Sequence, residues 1–208
     1  MQYRTRRLVT MACTAIAGVS ITVLAASQTD AQYKMTVNKE RLINAANEPQ
    51  NWLMMNGDYG ATRYSRLSQI NRDNVKKMRL VWALALGGMQ NVGQNGPESE
   101  VNPLIDNGFM YTSDGWGTIY KIDALNPNKG EFVWVSNSGV QHEGNTSRTR
   151  GIALWEDKVV ANLPDGRVIA VNRENGEIVW DKKITAKNEF GSQERFLTAP
   201  LVADGKVL

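Results

Sequence analysis

Histidine and cysteine, which build most zinc sites and many catalytic pairs, are scarce in this 208-residue sequence. The sequence contains one histidine, His142, and one cysteine, Cys13, so we expect neither a histidine cluster nor a cysteine metal site. No serine stands in a nucleophile-elbow pattern, and the absence of a GxGxxG motif and of a P-loop argues against a bound nucleotide. The glycine-rich segment Asp114-Gly115-Trp116-Gly117 predicts a turn between strands.

Two charged residues, Glu100 and Arg150, occupy similar places in the sequence. Each lies a few residues ahead of an apolar segment of the sequence. A guanidinium keeps its charge and makes forked hydrogen bonds to carboxylate oxygens, which suits it to an acidic ligand. The alternative for both is a solvated loop side chain, which is the role we expect for the neighbouring Glu98 and Arg148.

The elements that must position these residues are predicted by a repeat. Residues 103–111, 152–160 and 200–208 each read as an apolar strand, a tight polar turn and a second apolar strand. Asn107-Gly108 and Asp204-Gly205 are strong hairpin signals, because glycine accepts the positive φ that such turns require. The copies follow one another at intervals of about 48 residues.

A second repeat runs in phase with the first. In one copy Gly130 precedes Trp134 by four residues, and in the other Gly176 precedes Trp180 by four. Each period therefore holds about four short strands, the content of one blade of a β-propeller. We predict an all-β propeller in which blades stack on one another, and we interpret the repeated tryptophan as a packing device between blades.

The first residues have the pattern of an export signal. A basic start is followed by an apolar run over residues 8–26 and then by small residues, as in a secretory signal peptide. We predict cleavage after Ala31, with Ala25 as the alternative site, and an uncleaved membrane anchor as the alternative interpretation. Residues 32–50 are polar and predict an N-terminal arm, and residues 51–208 predict the propeller, which we expect to be truncated within a blade.

The basic character of the sequence belongs largely to this signal. Residues 1–31 contain three arginines and one aspartate, so 21 basic and 20 acidic residues remain of the 24 and 21 in the whole chain. A nearly neutral mature protein gives no support to nucleic-acid binding.

A pattern along residues 51–82 carries a family resemblance. It resembles the N-terminal motif of the dehydrogenases that use pyrroloquinoline quinone (PQQ) to oxidise alcohols. The departures are Asn56-Gly57, where the family prefers glycine and then a polar residue, and Met78, where it prefers leucine. The matching positions are Trp52, Tyr64, Ser65, Ile70, Asn71, Asn74, Val75 and Trp82.

The tryptophan repeat resembles the same family. Its tryptophan-docking element reads Ala-x-Asp-x-x-Thr-Gly-x-x-x-Trp, which Ala170, Gly176 and Trp180 fit. Asn172 stands in place of the aspartate and Asn175 in place of the threonine. The two resemblances together cover residues 50–208.

The resemblance implies an eight-bladed propeller with PQQ near its axis beside a calcium or lanthanide ion. It implies a periplasmic enzyme that oxidises a small alcohol to an aldehyde by hydride transfer to the quinone and passes electrons to a cytochrome c; a homodimer is left open. The catalytic aspartate and the metal ligands of the family are expected beyond Leu208, so no residue of this sequence is assigned as catalytic or metal-binding.

Three residues match cofactor-binding positions of the family. Glu100 precedes a segment similar to the family's Glu-x-x-Pro-Leu, and Arg150 lies in Thr-Arg-Gly-Ile-Ala, which is similar to Asn-Arg-Gly-Val-Ala. Thr198 lies near the threonine of Thr-x-Ala-Pro, although in the strict register Leu197 takes that place. We expect Glu100, Arg150 and Thr198 to contact the quinone.

One departure separates this sequence from many members of the family. They carry an adjacent cysteine pair a few residues before the arginine, whereas residues 143–147 read Glu-Gly-Asn-Thr-Ser. Two further alternatives stay open: a glucose-type quinoprotein dehydrogenase, and a non-catalytic propeller similar to the lipoprotein scaffold of the outer-membrane barrel-assembly machinery. The scaffold class normally carries a lipobox, which is missing here, and it needs neither Glu100 nor Arg150.

Overall fold

The chain divides into two units, and the second, Lys34–Leu208, contains every residue that the structure describes. The computed structural model describes residues 36–87, 98–141, 148–187, 189–191, 194, 196 and 198–208. The predicted signal peptide, His142 and the cysteine-free segment 143–147 lie outside these residues. Among the described residues, no helix has the length and apolar character needed to cross a membrane.

Two four-stranded antiparallel sheets form the body of the second unit. Blade 1 contains β2 (Leu104–Asp106), β3 (Phe109–Ser113), β4 (Ile119–Asp123) and β5 (Glu131–Ser136), and blade 2 contains β7 (Ile152–Trp155), β8 (Lys158–Asn162), β9 (Arg167–Asn172) and β10 (Ile178–Lys183). In both sheets the strands pair in chain order. A hairpin follows, formed by β11 (Val202–Ala203) and β12 (Lys206–Val207).

Each repeat begins with a two-residue hairpin turn, as the sequence predicts. Asn107 and Gly108 join β2 to β3 with φ values of 47° and 78°, and Asp204 and Gly205 join β11 to β12 with φ values of 52° and 74°. Glu156, in the corresponding turn of blade 2, also has a positive φ, of 50°. Such turns match the right-handed twist of the strands they join, so the three predicted hairpins are confirmed.

The first three strands of blade 2 are buried on both of their faces. Along β9, Ile169 and Val171 belong to one apolar cluster, whereas Val168 and Ala170 belong to another. This alternation follows from the two-residue period of a strand. The first cluster includes residues of blade 1, such as Leu104, and the second includes Val202 of the hairpin, so blade 2 is packed between its two neighbours as in a propeller.

The repeated tryptophans join successive blades. A Cβ atom placed on Gly176 of blade 2 would lie 2.8 Å from Cδ2 of Trp134, which belongs to β5 of blade 1. The indole nitrogen of Trp134 also donates a hydrogen bond of 3.0 Å to the carbonyl of Arg173. Trp82 covers Gly130 in the same way, at 2.6 Å. The predicted packing role is therefore confirmed, and glycine is required where the indole approaches the backbone.

Gly176 to alanine is expected to destabilise the protein by about 2–4 kcal/mol, because the new methyl group strains a backbone at positive φ and also overlaps the Trp134 ring. Gly139 is a matched control, since it has a similar φ of 69° and no atom within 4 Å of the added Cβ position. Gly139→Ala is expected to cost only about 1–2 kcal/mol. Urea denaturation measures both, and equal losses would show that the indole contact is unimportant.

The N-terminal arm is an integral part of the fold. Its helix α1 (Lys39–Ile43) begins at Asn38, whose side chain accepts a hydrogen bond from the Arg41 amide. Val37 pairs with Glu156 of blade 2, and the Lys39 ammonium lies 2.9 Å from the Asp204 carboxylate in the β11–β12 turn. The sequence predicted a polar arm, but not that it contacts both blades and the hairpin.

Candidate functional site

The segments leading into the two blades lie side by side. Residues Glu98–Ser99 form β1 and Arg148–Thr149 form β6, and the two strands pair in parallel, with Ser99 opposite Thr149. The amide of Glu100 then donates a 3.0 Å hydrogen bond to the carbonyl of Thr149. The pairing therefore places Glu100 and Arg150 together, although they are 50 residues apart in the sequence.

Glu100 and Arg150 form an ion pair. Nη2 of Arg150 lies 3.3 Å from Oε2 of Glu100, and the two side chains are 40% and 42% exposed. An exposed pair of this length contributes only about 0–1 kcal/mol to stability. The fold therefore gains little stability from this ion pair.

Arg150 retains hydrogen-bonding capacity in this position. Its Nε is buried and has no hydrogen-bond partner among the described residues. A buried N–H group without an acceptor costs free energy, so the arrangement suits a bound molecule that supplies one. A carboxylate oxygen of a ligand meets this requirement, and the guanidinium supplies the positive charge that suits an acidic ligand.

Thr198 lies in the segment beside Arg150, but with different contacts. A Cβ atom placed on Gly151 would lie 2.9 Å from the Cβ of Ala199, so the segments leading into blade 2 and the hairpin are adjacent. The carbonyl of Thr198 accepts a 3.3 Å hydrogen bond from Asn162. The exposed Thr198 borders an open, mainly apolar recess of about 440 Å³ that Trp180 also lines. Its contact with a cofactor stays a prediction.

The glycine-rich turn after β3 lies beneath the paired strands, which sequence reasoning missed. The Thr149 hydroxyl donates a 2.6 Å hydrogen bond to the Asp114 carbonyl, and the Ser99 hydroxyl donates one of 3.2 Å to the Ser113 carbonyl. The sequence predicted the turn but gave no signal of these partners, because they lie 35 and 14 residues apart along the chain.

A buried ionic network joins the two blades to the N-terminal arm. The fully buried carboxylate of Asp106 lies 2.5 Å from Nη2 of Arg173 and 2.8 Å from Nη2 of Arg41. Arg173 comes from the β9–β10 turn of blade 2, and its guanidinium stacks over the Tyr111 ring at 5.0 Å. Arg41 also forms an ion pair with Glu48, and the hydrogen bond that Arg41 donates lowers the pKa of the Glu48 carboxyl. This network has a stabilising arrangement, with each charge opposed by another.

Lys121 adds a further buried charge beside this network. Its ammonium donates a 3.0 Å hydrogen bond to the Arg173 carbonyl and lies 4.4 Å from the centre of the Phe109 ring. Burial lowers the pKa of Lys121, and the neighbouring Arg173 charge lowers it further. These contacts are typical of a charged group that fixes the packing of two sheets.

The described residues contain no group of three or more histidine, cysteine, aspartate or glutamate side chains placed to hold a metal ion. The part of the site that the described residues supply is therefore an acid, an arginine and their supporting turn.

Comparisons with known proteins identify the family of this propeller. Residues 52–195 match the family model of the PQQ-containing glucose/ethanol/alcohol dehydrogenase β-propeller domain. The quinohemoprotein alcohol dehydrogenase of Comamonas testosteroni is 35% identical over 173 residues, which are 79% of this chain and 22% of that protein.

Two solved structures have a similar fold. The quinohemoprotein alcohol dehydrogenase ADHIIG of Pseudomonas putida HK5 matches with a TM-score of 0.71 and 28% identity, over 85% of this chain and 25% of its own. A europium-containing methanol dehydrogenase matches with a TM-score of 0.64 and 28% identity, over 81% of this chain and 28% of its own. The chain thus spans about a quarter of the length of the relatives it matches.

Proposed function

Because this chain belongs to the PQQ-dependent alcohol dehydrogenase family and forms part of its β-propeller, we propose that the whole protein oxidises an alcohol to an aldehyde with PQQ as the hydride acceptor. The observation that carries the proposal is the pairing of Glu100 with Arg150 where the first strands of two adjacent blades begin. The relatives named above support the reaction class, since they are alcohol dehydrogenases.

The residues of this chain fit the cofactor in charge and in hydrogen-bonding capacity. Arg150 offers the N–H group at Nε and a permanent positive charge to an acidic ligand. Glu100 lies 3.3 Å from Nη2 of the same guanidinium and so helps to orient it. A carboxylate close to an acidic cofactor would be repelled unless its own charge were balanced, and Arg150 supplies that balance.

PQQ supplies the electron-pair acceptor of the reaction, and its metal ion supplies Lewis acidity. What these residues contribute is orientation and electrostatic stabilisation. Arg150 holds an oxygen of the ligand in place, and the β1–β6 pairing holds Arg150 against the sheet edge. An ordered N–H donor that needs no rearrangement is the form of stabilisation that benefits such a site most.

We further propose that the protein works in the periplasm, carries calcium or a lanthanide ion beside the quinone and passes electrons to a cytochrome c. The N-terminal signal pattern supports export. The europium-containing methanol dehydrogenase, whose fold is similar over this region, supports a lanthanide as one of the two metal choices.

Reconstitution of the full-length protein tests the proposal. Purified apoprotein is incubated with PQQ and either Ca²⁺ or a lanthanide, and dye reduction is followed with a panel of primary alcohols and with glucose. We expect cofactor uptake and alcohol-dependent dye reduction with at least one metal. Activity with glucose and with no alcohol would overturn the proposal in favour of the glucose-type alternative. A lack of PQQ uptake with every metal would overturn it in favour of a non-catalytic scaffold.

A further inference from the structure

We propose that Thr149 and Ser99 are positioning residues for the Glu100–Arg150 pair, and that they act through the turn that follows β3. This inference rests on the proposed function, because it concerns how the same site is held ready for PQQ. Two observations carry it. Each hydroxyl residue directly precedes one member of the pair, and the two hydroxyls donate to the consecutive carbonyls of Ser113, the last residue of β3, and Asp114, the first residue of the turn.

The hydroxyl contacts are well placed to set the position of the pair. Thr149 is buried, and its Oγ1 donates to the Asp114 carbonyl at 2.6 Å. Ser99 Oγ donates to the neighbouring Ser113 carbonyl at 3.2 Å. A strand with only two residues has few ladder hydrogen bonds of its own, so a side-chain anchor one residue from Arg150 strongly limits its backbone movement.

The turn itself is rigidly held. One carboxylate oxygen of Asp114 accepts hydrogen bonds from the amides of Trp116 and Thr118, at 2.9 and 3.0 Å. The other oxygen accepts from the Tyr120 hydroxyl at 2.9 Å. Burial and then the bond to Asp114 raise the pKa of Tyr120 to about 12, so this hydroxyl keeps its proton and remains a donor at neutral pH.

The turn is also fixed against blade 2. A Cβ atom on Gly117 would lie 2.5 Å from Cδ2 of Leu163, so the turn backbone is in close contact with the β8–β9 connection. The Ser138 hydroxyl donates a 2.9 Å hydrogen bond to the Trp116 carbonyl. The turn therefore contacts both blades and gives the two ligand-binding segments a common support.

A small displacement of Arg150 is expected to weaken its contact with a bound ligand. A charged donor aimed at a cofactor must be held within a fraction of an ångström, and the residues that hold it determine how much affinity it provides. Thr149 and Ser99 hold the backbone of Arg150 and Glu100 through hydroxyls that donate to the Asp114 and Ser113 carbonyls. Their loss should lower PQQ affinity more than it lowers the stability of the protein.

The test uses the full-length apoprotein with Ca²⁺ and follows PQQ binding by quenching of tryptophan fluorescence. Thr149→Val removes the hydroxyl and keeps the shape, and we expect the dissociation constant to rise about fivefold. Thr149→Ser retains the hydroxyl and is expected to stay within about twofold of the wild type. Ser99→Ala, at the longer and more exposed contact, is expected to raise the constant about threefold.

Thr185→Val is the matched control, because the Thr185 hydroxyl also donates to a backbone carbonyl, that of Glu194, at 2.9 Å, beyond the last strand of blade 2. We expect it to leave PQQ affinity unchanged. Thermal denaturation of every apoprotein separates affinity from stability. Equal loss of affinity in Thr185→Val, or no recovery in Thr149→Ser, would overturn the inference.

Two results distinguish this inference from the proposed function. If Arg150→Ala weakens PQQ binding while Thr149→Val and Ser99→Ala do not, the positioning role is wrong and the site stands. If Arg150→Ala itself has no effect, the site assignment is wrong and the inference falls with it. Should Thr149→Val fail to fold, Ser99→Ala decides alone, and unchanged affinity in that variant would overturn the inference.

Discussion

Replacing Asp106 by asparagine is expected to lower the free energy of unfolding by about 3–5 kcal/mol. The asparagine has the same shape, but it leaves Arg173 and Arg41 without the carboxylate that both contact. Arg173 is 1% exposed, so water is unable to replace the lost partner. The cost arises from an uncompensated buried charge, and not from the intrinsic value of the ion pair.

A matched control is Asp181→Asn. Asp181 also forms an ion pair with an arginine, Arg167, at 2.6 Å, but its side chain is 36% exposed. Loss of such a pair is expected to cost about 0–1 kcal/mol. Urea denaturation of the wild type and both variants measures the difference. If Asp106→Asn were no more destabilising than Asp181→Asn, the buried network would not be joining the blades as described.

Replacing Arg150 by alanine is expected to weaken PQQ binding by the full-length apoprotein by about 10- to 100-fold. Hydrogen bonds to charged groups contribute about 1.5–3 kcal/mol each, and every 1.4 kcal/mol corresponds to a factor of ten. Stability should change little, because the Arg150 side chain is 40% exposed and its ion pair is weak. Fluorescence titration and thermal denaturation measure the two effects separately.

Two control variants sharpen this prediction. Arg150→Lys keeps a positive charge but loses the Nε donor and the planar fork, so it should recover only part of the affinity. Arg167→Ala also removes an ion-paired arginine, in the outer strands of blade 2, and should leave PQQ affinity unchanged. Equal affinity in Arg150→Ala and the wild type would contradict the role of Arg150.

Local sequence signals predicted the blades well. The Asn107-Gly108 and Asp204-Gly205 turns depend on residues that tolerate positive φ, a property of the residues themselves. The glycine–tryptophan spacing identified the contacts between blades, because Trp134 covers Gly176 of the next repeat. Features set by residue type and short spacing are therefore accessible from one sequence.

Long-range polar contacts were not predictable in this way. Nothing around Asp106 or Arg173 indicates that they meet across 67 residues, and Asp106 reads simply as part of a hairpin. The motif of residues 51–82 identified the family. It did not identify the packing partners of its own side chains, since Tyr64 and Ile70 are 73% and 59% exposed. Such partners are determined by tertiary arrangement.

The candidate site was predicted in part. The sequence placed Glu100 and Arg150 ahead of successive first strands, and the parallel pairing of β1 with β6 explains why they meet. It gave no indication of the hydroxyl contacts of Ser99 and Thr149. Thr198 lies one residue from the threonine position of the family motif, so the sequence does not assign a role to its side chain. The contact that the structure describes is made by its carbonyl.

A crystal structure of the full-length protein grown with PQQ and Ca²⁺ or a lanthanide tests the central claim most directly. We predict that the Arg150 guanidinium, including Nε, lies within about 3.2 Å of an oxygen of the quinone, with Glu100 beside it. PQQ bound elsewhere, with the Glu100–Arg150 pair still facing solvent, would contradict the account.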